Sequence, residues 1–259
     1  MGLILLDIIL PVHYKRTERF EMNKLVLILA LMALWGASLG AVSIFDIQYT
    51  GNPGIDNTYP SQYVGRRVSL EGVVTATDYR TGGFILSETI NGPYRAILVS
   101  DRRSGVQIGN YIQISGTVSE TYGMTCIEDI SAIRVLDRNY PLPQPLTLTT
   151  AQISGADESE AYESVLVRVI NASSMGSRTS RGRFAVTDGS GQCNVVLNNF
   201  GGNLNLNPAV GTIFSSIQGI VVFSHSEYSL NPVGSQGIGI AAPVHNQTRS
   251  WGRIKSIYR

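Results

Sequence analysis

Histidine is scarce in this 259-residue chain. His13, His225 and His245 are the three, and no His-x-His or His-Glu-x-x-His pair occurs. Cysteine is scarcer still, with Cys126 and Cys193 alone and no Cys-x-x-Cys. The usual zinc spacings are therefore missing. A serine triad lacks its positioned base, because His225, in FSHSEYS, has no nucleophile-elbow motif around it. No catalytic residue, metal site or cofactor is expected. Charged residues make up only 15% of the chain, and Lys255 is the only lysine beyond residue 41. What the chain does have is glycine, 27 residues of it, and short β-branched runs between glycine-containing turns. That pattern points to an all-β protein, and the length suits one large or two ordinary domains.

The N-terminal segment has a different character. From Met22 the chain reads MNKLVLILALMALWGASLGAV. A basic start at Lys24, the apolar run 25–35 and the small residues Gly36, Ala37, Ser38, Gly40 and Ala41 follow the order of a secretory signal peptide. An uncleaved anchor is the alternative, but the run falls short of the ~20 residues a membrane span needs. Cleavage near Gly40 or Ala41 is expected, with Met22 as the true start and residues 1–21 as an upstream extension. Without residues 1–41 the chain carries sixteen basic and sixteen acidic side chains. A neutral protein has no global field for nucleic acid or anionic membrane, so any such attraction must be local. The expected location is secreted, periplasmic or at the cell surface, with no membrane span after leader removal. Export permits disulfides, yet the two cysteines fall at non-equivalent places of the repeat described next. A bridge and two free buried thiols both remain open.

The remaining chain says the same thing twice. SIFDIQYT (43–50) is matched by TTAQISGA (149–156), each a helical turn or an edge strand. YVGRRVSLEGVV (63–74) is matched by YESVLVRVINAS (162–173), and GGFILSE (82–88) by GRFAVTD (182–188). A turn follows in each, NGP at 91–93 or DGSG at 188–191, and then a strand, YRAILVS (94–100) or CNVVLNN (193–199). The last blocks are 106–127 and 208–230. Tyr63 and Tyr162 lie 99 residues apart, Phe84 and Phe184 100, Gly116 and Gly219 103. This is a domain duplication: domain 1 at 42–137, a Pro-rich linker at 138–148 with Pro141, Pro143 and Pro145, domain 2 at 149–242, and a basic tail at 243–259. The proline spacing favours extended, semi-rigid backbone in the linker.

Each copy reads as five short antiparallel strands, the last two turning near Tyr122-Gly123 or Glu227-Tyr228. Gly72, Gly116 and Gly219 lie inside strand patterns, where glycine marks a bulge or barrel corner. The expected architecture is two tandem five-stranded Greek-key barrels of the OB type. The stretches YVGRRVSLEGVVTA, GGFILSE and VQIGNYIQISGTVSETYGMTCIED resemble the OB-type domains of secreted bacterial nucleases and multidomain surface proteins. YESVLVRVINAS, GRFAVTDGSG and VGTIFSSIQGIVVFSHSEYSLNP resemble the companion domain beside them. The resemblance covers about residues 43–240 and implies an accessory or binding module, with no active site carried over.

OB-folds bind on the face of strands two and three and the flanking loops. In copy one that region holds Tyr79, Arg80, Phe84, Tyr94 and Arg95, with Tyr122 from the later loop. In copy two it holds Arg178, Arg181, Arg183 and Phe184, with Tyr228. Aromatic planes beside arginines suit stacking and phosphate pairing on single strands, which makes weak single-stranded nucleic-acid binding the leading expectation. Two observations weigh against it. Phe84 and Phe184 start apolar strands and are also placed to fill the barrels, and neither domain has a basic excess. The competing class is an extracellular structural or interaction module that binds glycan or protein partners.

Three further features complete the reading. Asp157, Glu158, Glu160 and Glu163 form an acidic run, expected as a solvated loop or a helix-cap region; calcium is the sharper alternative, without EF-hand spacing. DGSG lacks the Gly-Lys-Ser/Thr ending and the following helix of a phosphate loop, so it is read as a hairpin turn with no helix start nearby. In TRSWGRIKSIYR (248–259), Trp251, Ile254 and Tyr258 share a helical face, leaving docking, sorting and a frayed terminus all open.

Overall fold

The computed structural model describes residues 42–54, 58–80, 82–102, 105–155, 158–201 and 204–241. The leader at 1–41 and the tail at 243–259 lie outside the described residues. No described helix is long and apolar enough to cross a membrane.

Each copy opens with one short helix, and the two start in the same way. In α1 (Ile44–Gln48), the Ser43 hydroxyl accepts from the Asp46 N–H while the Asp46 carboxylate accepts from the Ser43 N–H. In α2 (Thr150–Ser154), Thr149 and Gln152 form the same reciprocal pair. Such capping boxes satisfy helix donors that have no partner within the helix. The ambiguous apolar openings are therefore helices in both copies, and neither is an edge strand.

The first barrel is built from β1 (Arg67–Tyr79), β2 (Gly83–Ser87), β3 (Ala96–Val99), β4 (Tyr111–Thr121) and β5 (Met124–Asp137). It closes in the order β1-β2-β3-β5-β4. After the linker strand β6 (Leu146–Thr147), the second barrel uses β7 (Leu166–Ser174), β8 (Arg183–Thr187), β9 (Cys193–Val196), β10 (Ile213–Ser224) and β11 (Glu227–Pro232). It closes the same way, because β10 pairs back onto β7, and β12 (Ile238–Ile240) adds to β10. These are two five-stranded OB-type barrels.

Three details differ from the sequence expectation. The strands are not all antiparallel: β3 runs parallel to β5 and β9 parallel to β11. The long loop after strand three lets the fifth strand close each barrel from that side, a geometry a hairpin pattern does not reveal. The second β4-type hairpin turns at His225-Ser226, both at positive φ, two residues before the expected place. The linker is also more than a spacer, since β6 pairs parallel with Val167 and Arg168.

Gly219 shows why glycine stands inside a strand here. A Cβ at that position would lie 2.3 Å from the Asn231 carbonyl oxygen, so β10 and β11 cross too closely for any side chain. Gly116 plays the same part against Ile127 and Glu128 in the first barrel, at a register shift between β4 and β5.

Alternation decides where each core lies. Phe84 and Leu86 on β2, and Ile97 and Val99 on β3, point into the first barrel. Their neighbours Ile85, Ala96 and Leu98 point outward, yet they are buried as well, in one cluster with the interior of the second barrel. Strands buried on both faces read as continuous apolar runs, and AILV on β3 is such a run. The outer face of β2–β3 is therefore the seat of the second barrel. Backbone hydrogen bonds fasten the junction: Arg80 N–H donates to the Asn199 carbonyl and Tyr94 N–H to the Ala161 carbonyl, both at 2.6 Å. Asn91, in the TINGP turn, donates to the Gln144 and Leu166 carbonyls, each at 2.8 Å.

DGSG also has a partner that the sequence order hides. The Asp188 carboxylate accepts from the N–H and hydroxyl of Thr150, and from the N–H and hydroxyl of Ser190. The Ser190 hydroxyl accepts in turn from Ala151 N–H. A helix start does reach this turn, from forty residues upstream, and the turn's own side chains fill it. Burial alone would raise the Asp188 pKa, but the hydrogen bonds from Ser190 and Thr150 outweigh it and hold the carboxyl at about 2. In the first copy Glu88, at the equivalent position, accepts from Phe45 N–H of α1.

Candidate functional site

Because the second barrel covers β2–β3, the usual OB binding face is closed in copy one. In copy two it is open. On β8 and β9, Phe184, Val186, Cys193 and Val195 fill the barrel, while Arg183, Ala185, Asn194 and Val196 stand half-exposed on the outside.

Several sequence candidates are displaced by this arrangement. Phe84 (1% exposed) and Phe184 (2%) are interior residues, the latter stacked on Phe214 with ring centroids 5.8 Å apart. Neither offers a face to a ligand. Tyr228 is buried at the barrel junction, where its hydroxyl donates to Glu160. The Tyr79 ring is buried against Phe200, and its hydroxyl donates to the Met124 sulfur at 3.7 Å. Tyr94 packs edge-on against Phe45 and Tyr49, while Arg95 pairs with Glu88 and stands over the Phe45 ring. Both belong to the surroundings of α1. Arg178 braces its loop, donating to the Leu204 carbonyl at 3.2 Å.

Arg80, Tyr122, Arg181 and Arg183 remain, and the fold aligns them. A hollow of about 680 Å³ lies over the open β8–β9 face, between the loop from Met175 to Arg181 and the residues Arg183, Gln192 and Asn194. It shares Arg181 and Arg183 with a second hollow of about 540 Å³, walled by Asn198, Ser224, His225 and Arg80. Arg80 in turn lines a third cavity of about 290 Å³ at the barrel junction, with Arg102 and Tyr122 on its rim. The three adjoin through these shared arginines and are taken together as a groove across both barrels.

Arg80 is the hinge of this groove and is held accordingly. It sits at φ +52°, in the left-handed region, just after β1. Its guanidinium donates to the Ser224 hydroxyl at 3.0 Å and stands over both the Tyr79 and Tyr122 rings, at 5.2 and 5.9 Å. Cation–π contacts of this kind hold an arginine in place while leaving donors for an anion. The His225 ring lies 2.8 Å from the same Ser224 hydroxyl, so this histidine supports the Arg80 mooring. Arg183 pairs with Glu227. Tyr122 is 79% exposed at the β4–β5 tip.

Two sets of residues were missed in the sequence. Arg102 joins the groove from the loop after β3; the Arg102-Arg103 pair is its only sequence signal. The acidic run divides: Glu158 is exposed as expected, Asp157 lies outside the described residues, and the other two are not solvated. Glu160 and Glu163 are buried in the 3-10 turn Ser159–Tyr162 and just after it, at the barrel junction. One Glu163 oxygen accepts from Thr125 N–H across the junction at 3.1 Å, and the Gln48 side chain also faces this carboxyl. Burial, then the neighbouring Glu160 and Glu120, push the Glu163 pKa well up; burial raises Glu160 to about 7. No group of three or more His, Cys, Asp or Glu among the described residues is arranged to hold a metal. Cys126 and Cys193 are free and buried, and burial pushes both thiols up to about 12.

No protein-family model matches the chain, and no curated protein does. Among solved structures it is similar in fold to HIN domains. The Ifi202 HINa domain in complex with 20 bp dsDNA has 15% identity and a TM-score of 0.33, over 69% of this chain and 96% of that one. The tetrameric p202 HIN2 has 12% identity and a TM-score of 0.31, over 69% and 92%. A murine DNA-binding protein bound with dsDNA has 11% identity and a TM-score of 0.30, over 67% and 97%. At such identities and TM-scores these likenesses carry no conclusion about this chain.

Proposed function

We propose that this chain is an exported, non-enzymatic binding protein for single-stranded nucleic acid, with the groove across the two barrels as its track. The observation that carries the reading is that neighbouring hollows share their arginines. An open OB face on the second barrel runs, through Arg181, Arg183 and Arg80, to Arg102 and the exposed ring of Tyr122. Cationic donors along a backbone path and an aromatic plane at its end match the two demands of a single strand. The formally neutral balance of residues 42–259 supports a weak affinity built on local contacts. Export rests on the leader-like segment 22–41, and the resemblance to modules beside secreted bacterial nucleases fits binding without chemistry.

Labelled single strands titrated against the protein test this. Binding is expected at low salt and weakens as salt rises, with a log–log slope of roughly −2 to −3 for three or four arginine–phosphate contacts. Arg80→Gln lowers the affinity and makes the slope shallower by about 0.7. Absence of binding at low salt, in the folded protein, rejects the reading.

A further inference from the structure

We infer that the cavity at the barrel junction receives one unstacked nucleobase of the bound strand; this rests on the groove being a nucleic-acid track. At about 290 Å³ it is the smallest of the three hollows, of a size for one ring system and its sugar, whereas the two open hollows suit a run of backbone. Its floor is made by Tyr79, Leu98, Met124 and Phe223. The Tyr79 hydroxyl is engaged with the Met124 sulfur, so the floor offers a guest apolar surface and no competing donor. A planar base loses little by entering over such a floor.

The mouth has the complementary chemistry. The Arg80 guanidinium stands between the buried Tyr79 ring and the exposed Tyr122 ring, and Arg102 lies on the rim beside Asp101. A base inside the cavity leaves its phosphates at these arginines, with Tyr122 free to stack on the next base. The fold also fixes the mouth. A Cβ on Gly123, at φ +81°, would lie 2.5 Å from the Phe223 ring. The β4–β5 tip is thus seated directly on the second barrel, and Tyr122 is presented at a set place instead of on a swinging loop.

Ser100 supplies the test, because it lines the cavity and is itself exposed. The affinities of a base-bearing oligonucleotide and of a fully abasic strand of the same length are compared at one salt concentration. The wild-type protein is expected to prefer the base-bearing strand by more than tenfold, with about tenfold from the base in the cavity and the rest from the base on Tyr122. Ser100→Trp fills the cavity and should remove the cavity's tenfold share while the Tyr122 share remains and the abasic strand binds as before. An unchanged thermal midpoint shows that the variant is folded. If Ser100→Trp keeps the full preference, the base pocket is overturned and the groove stands. If neither strand binds the wild type at low salt, the groove reading fails and the pocket with it.

Discussion

Phe184 and Tyr122 set the residue-scale argument, since both were aromatic candidates on an OB face. Alternation along β8 puts Phe184 inside the barrel against Phe214, while the two-residue tip at Tyr122-Gly123 turns the Tyr122 ring outward. The two truncations should therefore fail in opposite ways. Phe184→Ala removes a buried ring from a closed core and is expected to cost about 3–5 kcal/mol in denaturant unfolding. Tyr122→Ala should leave stability within about 0.5 kcal/mol, and weaken single-strand binding several-fold. A Phe184→Ala protein of full stability but impaired binding would place the ring at the surface and contradict the packing. A flanking glycine and an apolar run looked the same for a barrel-filling ring and a stacking platform. The pleat separates them, and the sequence locates the pleat only once the strand limits are known.

Elements were the most legible level. Equivalent strands recur at intervals of about one hundred residues, and the hairpin glycines and strand alternation survive in both copies. Gly72, Gly116 and Gly219 were legible as bulges or barrel corners, and the structure adds that a Cβ at each would collide with the partner strand. The parallel closures β3–β5 and β9–β11 were not legible, since they join segments about thirty residues apart and leave no local mark. Nor was the docking of DGSG on α2, which rests on pairing of Asp188 with Thr150, 38 residues away. That docking makes an element-scale prediction. Asp188→Ala leaves the N–H of the buried Thr150 without its acceptor and withdraws one acceptor from its hydroxyl, and should cost about 1–3 kcal/mol of unfolding free energy. Inorganic phosphate should not protect the wild-type protein against unfolding, because the donors it would seek are already engaged. Specific phosphate protection that vanishes in Asp188→Ala would restore the anion-cradle reading.

At the scale of the whole molecule, two barrels share one hydrophobic cluster, and three carboxyls lie at or beside their junction. An acidic run reads as solvated until something covers it, and here the cover is the other copy. Glu163 (2% exposed) reaches Thr125 of the first barrel, Glu160 accepts from Tyr228, and Glu120 accepts from Ser61 and Thr125. Gln48 and Tyr59 also face this cluster. Burial raises the pKa of all three carboxyls, Glu160 to about 7 from an ordinary 4.5. The folded protein therefore holds protons that the unfolded chain releases above pH 4.5, so stability falls as pH rises from there through about 7. Asp188 acts in the opposite sense: depressed to about 2, it contributes stability above its unfolded value of 3.8 that is lost as pH falls toward 2. Together they place the stability maximum at about pH 4–5. Thermal midpoints measured from pH 4 to pH 8 should decline over the upper part of that range. Glu163→Gln keeps an acceptor for Thr125 N–H without the charge, so it should flatten the decline and exceed the wild type at pH 8. A midpoint that holds level or climbs between pH 5 and pH 8 would mean that the junction carboxyls are hydrated, and that the barrels meet more loosely than their shared core requires.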